Sequence, residues 1–143
     1  MNVASILKEK GGDVFTMRAD ATLLEVSREL AERRIGSIVI VDAEAGVAGI
    51  ISERDVVRTI AREGPEQLDQ PITGIMTSKV VTCRRTDTIE YLMAEMTAGH
   101  FRHLPVVEEG QLVGIVSIGD IVKHRIADAE MEAAAMRDYI ATG

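Results

Sequence analysis

Gly49-Ile50-Ile51-Ser52-Glu53-Arg54-Asp55 and Gly114-Ile115-Val116-Ser117-Ile118-Gly119-Asp120 are the two stretches that decide the fold. Each reads glycine, two aliphatic residues, serine, two further residues and aspartate, and every matched position differs by 65. A strand running directly into a helix explains the pattern, because β-branched residues suit the strand and the serine hydroxyl can cap the first helical turn. One copy needs no more than that, with the aspartate facing the positive end of the helix dipole. Two copies in fixed register point further, to a ligand. Free N–H groups at a helix start can hold a phosphate, and a carboxylate three residues on can accept both hydrogens of a ribose diol.

The match extends upstream. Ala21-Thr22-Leu23-Leu24-Glu25-Val26 resembles Asp87-Thr88-Ile89-Glu90-Tyr91-Leu92, each opening a helical pattern at a Thr cap. Leu23, Val26, Leu30 and Ala31 form one apolar stripe, and Ile89, Leu92, Met93 and Met96 form the other. Ser37 to Asp42 aligns with His103 to Glu108, short apolar runs that read as buried strands. Ile6-Leu7-Lys8 before Val14-Phe15-Thr16 is matched by Ile72 to Thr77 before Val80-Val81-Thr82, so a lead-in and a short strand open each half. Further helices are expected from about Glu53 to Arg62 and from about Ile118 towards Ala129. A final helix, about Ala129 to Ile140, has no partner in the first half. The expected class is α/β (α+β), with a first repeat over 6–64, a linker over 65–76, a second repeat over 77–127 and a C-terminal helix over 128–143.

Composition narrows the function. Of the 143 residues, 46% are apolar and 27% charged, enough for a packed core, and with 3% aromatic that core must be aliphatic. A net charge of −7 repels nucleic acid, so an anionic ligand has to be held by local donors against the overall field. Cys83 is the single cysteine, read as a small strand residue, and with no leader or membrane-length apolar run the expected compartment is the cytoplasm.

From about Ile6 to His124 the chain resembles a pair of cystathionine-β-synthase (CBS) domains, the Bateman module. The residues that carry the likeness are the two Gly-to-Asp stretches, Ile75-Met76-Thr77 and Arg102-His103-Leu104-Pro105-Val106. The resemblance implies two β-α-β-β-α repeats packed through their sheets about a pseudo-two-fold axis, with two clefts between them, and a homodimer forming a flat four-repeat disc. It implies an adenosine-containing ligand (AMP, ATP or NAD, with S-adenosylmethionine a further candidate), ribose bound by Asp55 and Asp120, and Ser52 and Ser117 near ribose or phosphate. Thr16, Val81 and Thr82 would give backbone contacts to the base, while Ile35, Gly36 and Ser37, or His103 with its neighbours up to Pro105, would wall the clefts. Arg54 and Arg102 are the expected phosphate partners, and since Arg54 matches Gly119 and Arg102 matches Gly36, the clefts need not be equal.

Other readings are weaker. His100 and His103 lack the Cys or carboxylate company of a zinc site, so no metal is expected, and His124 reads as a surface residue. No nucleophile–base arrangement stands out, and repeats, linker and terminal helix take up the length, so no catalysis is expected. The alternative is an assembly or interaction subunit with vestigial clefts, its last helix docking a partner through Met131, Ala134, Ala135 and Tyr139.

Overall fold

A computed structural model describes residues 1–142. Helix α1 (Val3–Lys10) precedes strand β1 (Thr16–Arg18), helix α2 (Leu23–Arg33), strands β2 (Ser37–Val41) and β3 (Val47–Ser52), and helix α3 (Glu53–Glu63). Two short 3-10 turns, Pro65–Asp69 and Ile72–Gly74, lead to α4 (Ile89–Gly99), β4 (His103–Glu108), β5 (Gln111–Ser117) and α5 (Ile118–Thr142).

In the first half β1 pairs parallel with β2, and β2 antiparallel with β3. The Ile38-Val39-Ile40 centre of β2 is fully buried, as the unbroken β-branched run requires. In the second half β4 and β5 pair antiparallel, and the expected strand at Val80 to Thr82 is absent. One parallel bridge from Cys83 to Val106 stands in its place. Cys83 N–H donates to Pro105 O and Val107 N–H to Cys83 O, which ties the segment down without a strand's length. Both sheets slip register at equivalent points, Ile40/Val41 and Val106/Val107.

The helices start where the sequence places their caps. Thr22 with Glu25 and Ser52 with Asp55 form reciprocal capping boxes, and Thr88 caps α4 through the Tyr91 N–H. The stripes they define fill two cores. Leu23, Val26 and Leu30 pack with Ile38, Ile40 and Ile51, and Ile89, Leu92 and Met96 with Leu104, Val116 and Ile121.

The lead-ins are exchanged between these cores. Val3 and Ile6 of α1 belong to the second core, and Ile72 of the linker, with Met76 against it, belongs to the first. Backbone bonds fix both placements: Val3 N–H to Asp87 O and Ala4 N–H to Arg85 O on one side, Ile72 N–H to Ala21 O and Leu23 N–H to Gln70 O on the other. This reciprocity gives the molecule its two-fold character and makes each half incomplete alone. Gly49 permits a close approach: a Cβ there would lie 2.9 Å from Thr77 O, where Thr77 and Ile50 exchange backbone bonds.

Two further expectations change. The last helix is continuous with α5 rather than beginning near Ala129, because nothing between Ile118 and Thr142 breaks the helix. His124 is buried, not at the surface, with Nδ1 2.9 Å from Met1 Sδ and Nε2 3.2 Å from Glu9. Among the described residues no helix is long and apolar enough to cross a membrane.

Candidate functional site

The β3–α3 junction faces a cleft of about 500 Å³ between the halves. Ser52 and Asp55 line it at the helix start, and Gly36 and Ser37 line it from the preceding strand. The opposite wall comes from the other half: Thr77, Lys79, Val80 and Val81 from the lead-in, and His100 to His103 from the end of α4 into β4. Of the expected site residues, Arg54, Arg102, Val81 and His103 therefore join Ser52 and Asp55, while Thr16, Ile35, Thr82 and Pro105 lie outside this cleft. Thr16 pairs with Val39 in the sheet, Ile35 packs on the first core, and Pro105 is held at Cys83 and Ile115.

Ser52 N–H and Oγ–H both donate to Asp55 Oδ2, at 2.9 and 3.1 Å, and Asp55 N–H returns a bond to Ser52 Oγ. Asp55 Oδ1 takes no hydrogen bond among the described residues, so one carboxylate oxygen remains for a ligand. Ser37 is nine-tenths buried, and its Oγ is a buried side-chain oxygen without a partner among the described residues. An unpaired buried hydroxyl is costly.

Charge gathers here against the acid balance of the chain. Arg54, Arg58, Lys79 and Arg102 line the cleft, facing Glu53 and Asp55. Sequence reasoning named two of the four cations. Arg58 is one turn beyond Arg54 on α3, so helical spacing carried the signal. Lys79 matches Asp13 at the offset of 66 that relates Val80 to Val14, a contrast visible in the alignment. Burial pushes the His103 imidazole below its usual range, with Arg102 and Lys10 adding to that, so the ring is neutral near pH 7.

The second junction is built alike but engaged. Ser117 N–H and Oγ–H donate to Asp120 Oδ2 at 2.9 and 3.1 Å, repeating the first site. Lys10 Nζ then closes on the same oxygen at 2.7 Å and on Ile115 O at 2.9 Å. Burial alone would raise the Asp120 carboxyl, but the Lys10 bond, the Ser117 bonds and the Lys10 charge outweigh it and hold it below its ordinary 3.8. A lowered carboxyl stabilises the fold above its unfolded value and loses that contribution as pH falls through the folded one. Lys10→Met should therefore cost under about 1 kcal/mol at pH 7, as befits a partly exposed pair, and flatten the acid limb of a stability–pH curve below about pH 4. Urea midpoints between pH 2.5 and 7 measure both.

No group of His, Cys, Asp and Glu that could hold a metal occurs among the described residues, and Cys83 is buried with its thiol pushed up to about 12 by burial and by Asp87 and Glu108.

Comparison with known proteins follows the same lines. The family model of the CBS domain matches twice, at residues 3–62 and 72–127. A CBS-domain-containing protein of Agrobacterium tumefaciens is 43% identical in sequence, with a TM-score of 0.85 over 87% of this chain and 99% of that one. A CBS-domain protein of Pyrobaculum aerophilum complexed with AMP is 30% identical, with a TM-score of 0.75 over 84% and 89%. The CBS-domain pair of protein MJ0100, in complex with 5′-methylthioadenosine and S-adenosyl-L-methionine, is 26% identical, with a TM-score of 0.76 over 86% and 98%. Curated relatives vary in length: the chain spans 72% of one and 21% of others.

Proposed function

The chain belongs to the CBS-domain family, of which it carries two copies, and from that premise we propose that the first cleft binds a phosphorylated adenosine and that the protein acts as a regulatory module without catalysis. The observation that carries this reading is the gathering of Arg54, Arg58, Lys79 and Arg102 around the Asp55 carboxylate in a chain of net charge −7. Asp55 Oδ1 accepts from the ribose hydroxyls, and the cations with the α3 N-terminus meet the phosphates. The base lies between Ile50 and the backbone of Val80 and Val81. AMP in the Pyrobaculum aerophilum relative supports the ligand class.

Charge ranks the candidates. Four cations favour AMP, ADP, ATP or NAD over S-adenosylmethionine, whose sulfonium carries a positive charge into the same field. The second junction differs: Lys10 neutralises Asp120, and Gly119 and Asp13 stand where the first cleft has Arg54 and Lys79, while Lys123 matches Arg58. It is the weaker site. Because the clefted surface is shared by both halves, occupancy biases their relative placement, and a partner that distinguishes the placements reads it out.

The assembly reading is compatible and has its own support. Val57 and Val122, equivalent in the repeat, are both exposed, at 68% and 49%, as a face shared between two copies requires. Thermal-shift titration tests the ligand reading, since a ligand bound only by the folded chain raises its melting temperature. AMP, ADP, ATP or NAD should raise it and S-adenosylmethionine should do so least; no shift with any of them rejects the reading.

A further inference from the structure

Helix α5 leaves the body of the protein after its first two turns. Ile121 and His124 are its last described buried side chains, and Arg125 to Ala141 are exposed apart from a half-buried Asp128. A helix whose outer part packs no side chain into the body is marginal in water unless a partner covers it.

The exposed part carries a pattern that says what the partner is. Val122, Ile126, Ala129, Ala133, Met136 and Ile140 recur at alternating spacings of four and three, the a/d seam of a coiled coil about 27 Å long. Four of them are large apolar side chains at least 49% exposed, and the two alanines allow close approach of a second helix. With Ile126, Ala133 and Ile140 at a, the g positions hold Arg125 and Glu132, and the e positions Glu130 and Arg137. In a parallel pair each g residue meets the e residue five places on in the other chain, so Arg125 faces Glu130 and Glu132 faces Arg137, twice over by symmetry. An antiparallel pair on the same seam sets Glu130 and Glu132 each against its own copy. The contact of Arg125 with Glu90 at 3.2 Å competes for one of these partners, but it is exposed and contributes little.

We propose that α5 pairs in parallel with α5 of a second copy of this chain, a two-stranded stem over Val122 to Ile140 that fixes both bodies on the same side of the dimer. Val122 lies at the root of this seam and is also the exposed counterpart of Val57, so stem and inter-body contact are continuous. The proposal sharpens the dimer part of the reading above and is independent of the ligand.

The test uses the full chain. Sedimentation equilibrium should show a dimer whose dissociation constant rises at least tenfold in Arg137→Glu, which sets Glu132 against a glutamate, and recovers in the double variant Glu132→Arg/Arg137→Glu. Met136→Cys, at a d position facing its own copy only in the parallel arrangement, should form a disulfide-linked dimer under mild oxidation. Cys83 is buried with a raised thiol and does not interfere. A monomer at all concentrations, a dimer indifferent to the charge reversal, or Met136→Cys that stays unlinked would each overturn the stem. Cross-linking of a Met136→Cys chain to an Ile126→Cys chain, without Met136→Cys homodimer linkage, would show the antiparallel pairing instead.

Discussion

Ile6→Ala should destabilise the whole chain by about 2–5 kcal/mol, the range for deleting a large aliphatic side chain from a packed core. The expectation is unusual for a residue of a short helix outside both sheets, where substitution at an exposed position costs little. It follows from the exchange of lead-ins. Ile6 is 1% exposed and packs among Cys83, Ile89, Leu104, Val116 and Ile121 of the other half, while Ile72 does the same service to the first core. Ile72→Ala should cost a similar amount, and both should lower the urea midpoint of one cooperative transition rather than unfold one half alone. A cost within about 0.5 kcal/mol for Ile6→Ala is the value of a surface site and would contradict the exchange.

Asp55→Ala should weaken nucleotide binding by about 1.5–3 kcal/mol, or about 10- to 150-fold, the loss expected for hydrogen bonds made by a charged acceptor. Part of the effect could arise from the fold, because Asp55 closes the capping box on Ser52, and losing such a cap costs about 1 kcal/mol of stability. Asp55→Asn separates the two: an amide oxygen can still accept from Ser52, but the charge that ribose hydroxyls meet is gone. It should keep most of the stability and lose most of the affinity. Asp120→Ala should leave the affinity of the first cleft unchanged and release Lys10, since the paired carboxylate of the second junction is already satisfied.

Much of this was legible in the residues. The repeat register, the caps at Thr22, Ser52 and Thr88, and the apolar stripes each follow from local rules, and the structure has them where those rules place them. Ser52 and Asp55 come together for the same reason, being three apart at a helix start. What the sequence hid is tertiary. No periodicity says that α1 serves the far core, and a lysine in its last turn gives no sign that it closes on Asp120, 110 residues away. Val80 to Thr82 has the composition of a strand, but ladder partners decide strands, and only Cys83 finds one. Reading the terminal helix as starting near Ala129 separated Val122 and Ile126 from Ala129, Ala133, Met136 and Ile140, with which they are in phase. His124 was misplaced for a related cause: on a continuous α5 it falls one turn after Ile121, on the face turned to the core.

The asymmetry of the two Ser–Asp junctions also sharpens with structure. Sequence comparison found it in Arg54 against Gly119 and Arg102 against Gly36; the geometry puts Gly36 and Arg102 in the same cleft, keeps Arg54, adds Lys79 where the second half has Asp13, and sets a lysine on the carboxylate of the second junction. A module with one strong site and one self-engaged site responds to ligand in a simpler way than one with two equal sites, because a single occupancy sets its state.

Calorimetric titration of the full chain with AMP and with ATP, beside the same titrations of Asp55→Ala, tests the central claim most directly. The account predicts one strong site per chain in the wild type, weakened by rising salt as phosphate–cation contacts require, and lost over the same range of ligand in Asp55→Ala. Two equal sites per chain, no binding of either nucleotide, or unchanged binding by Asp55→Ala would contradict it.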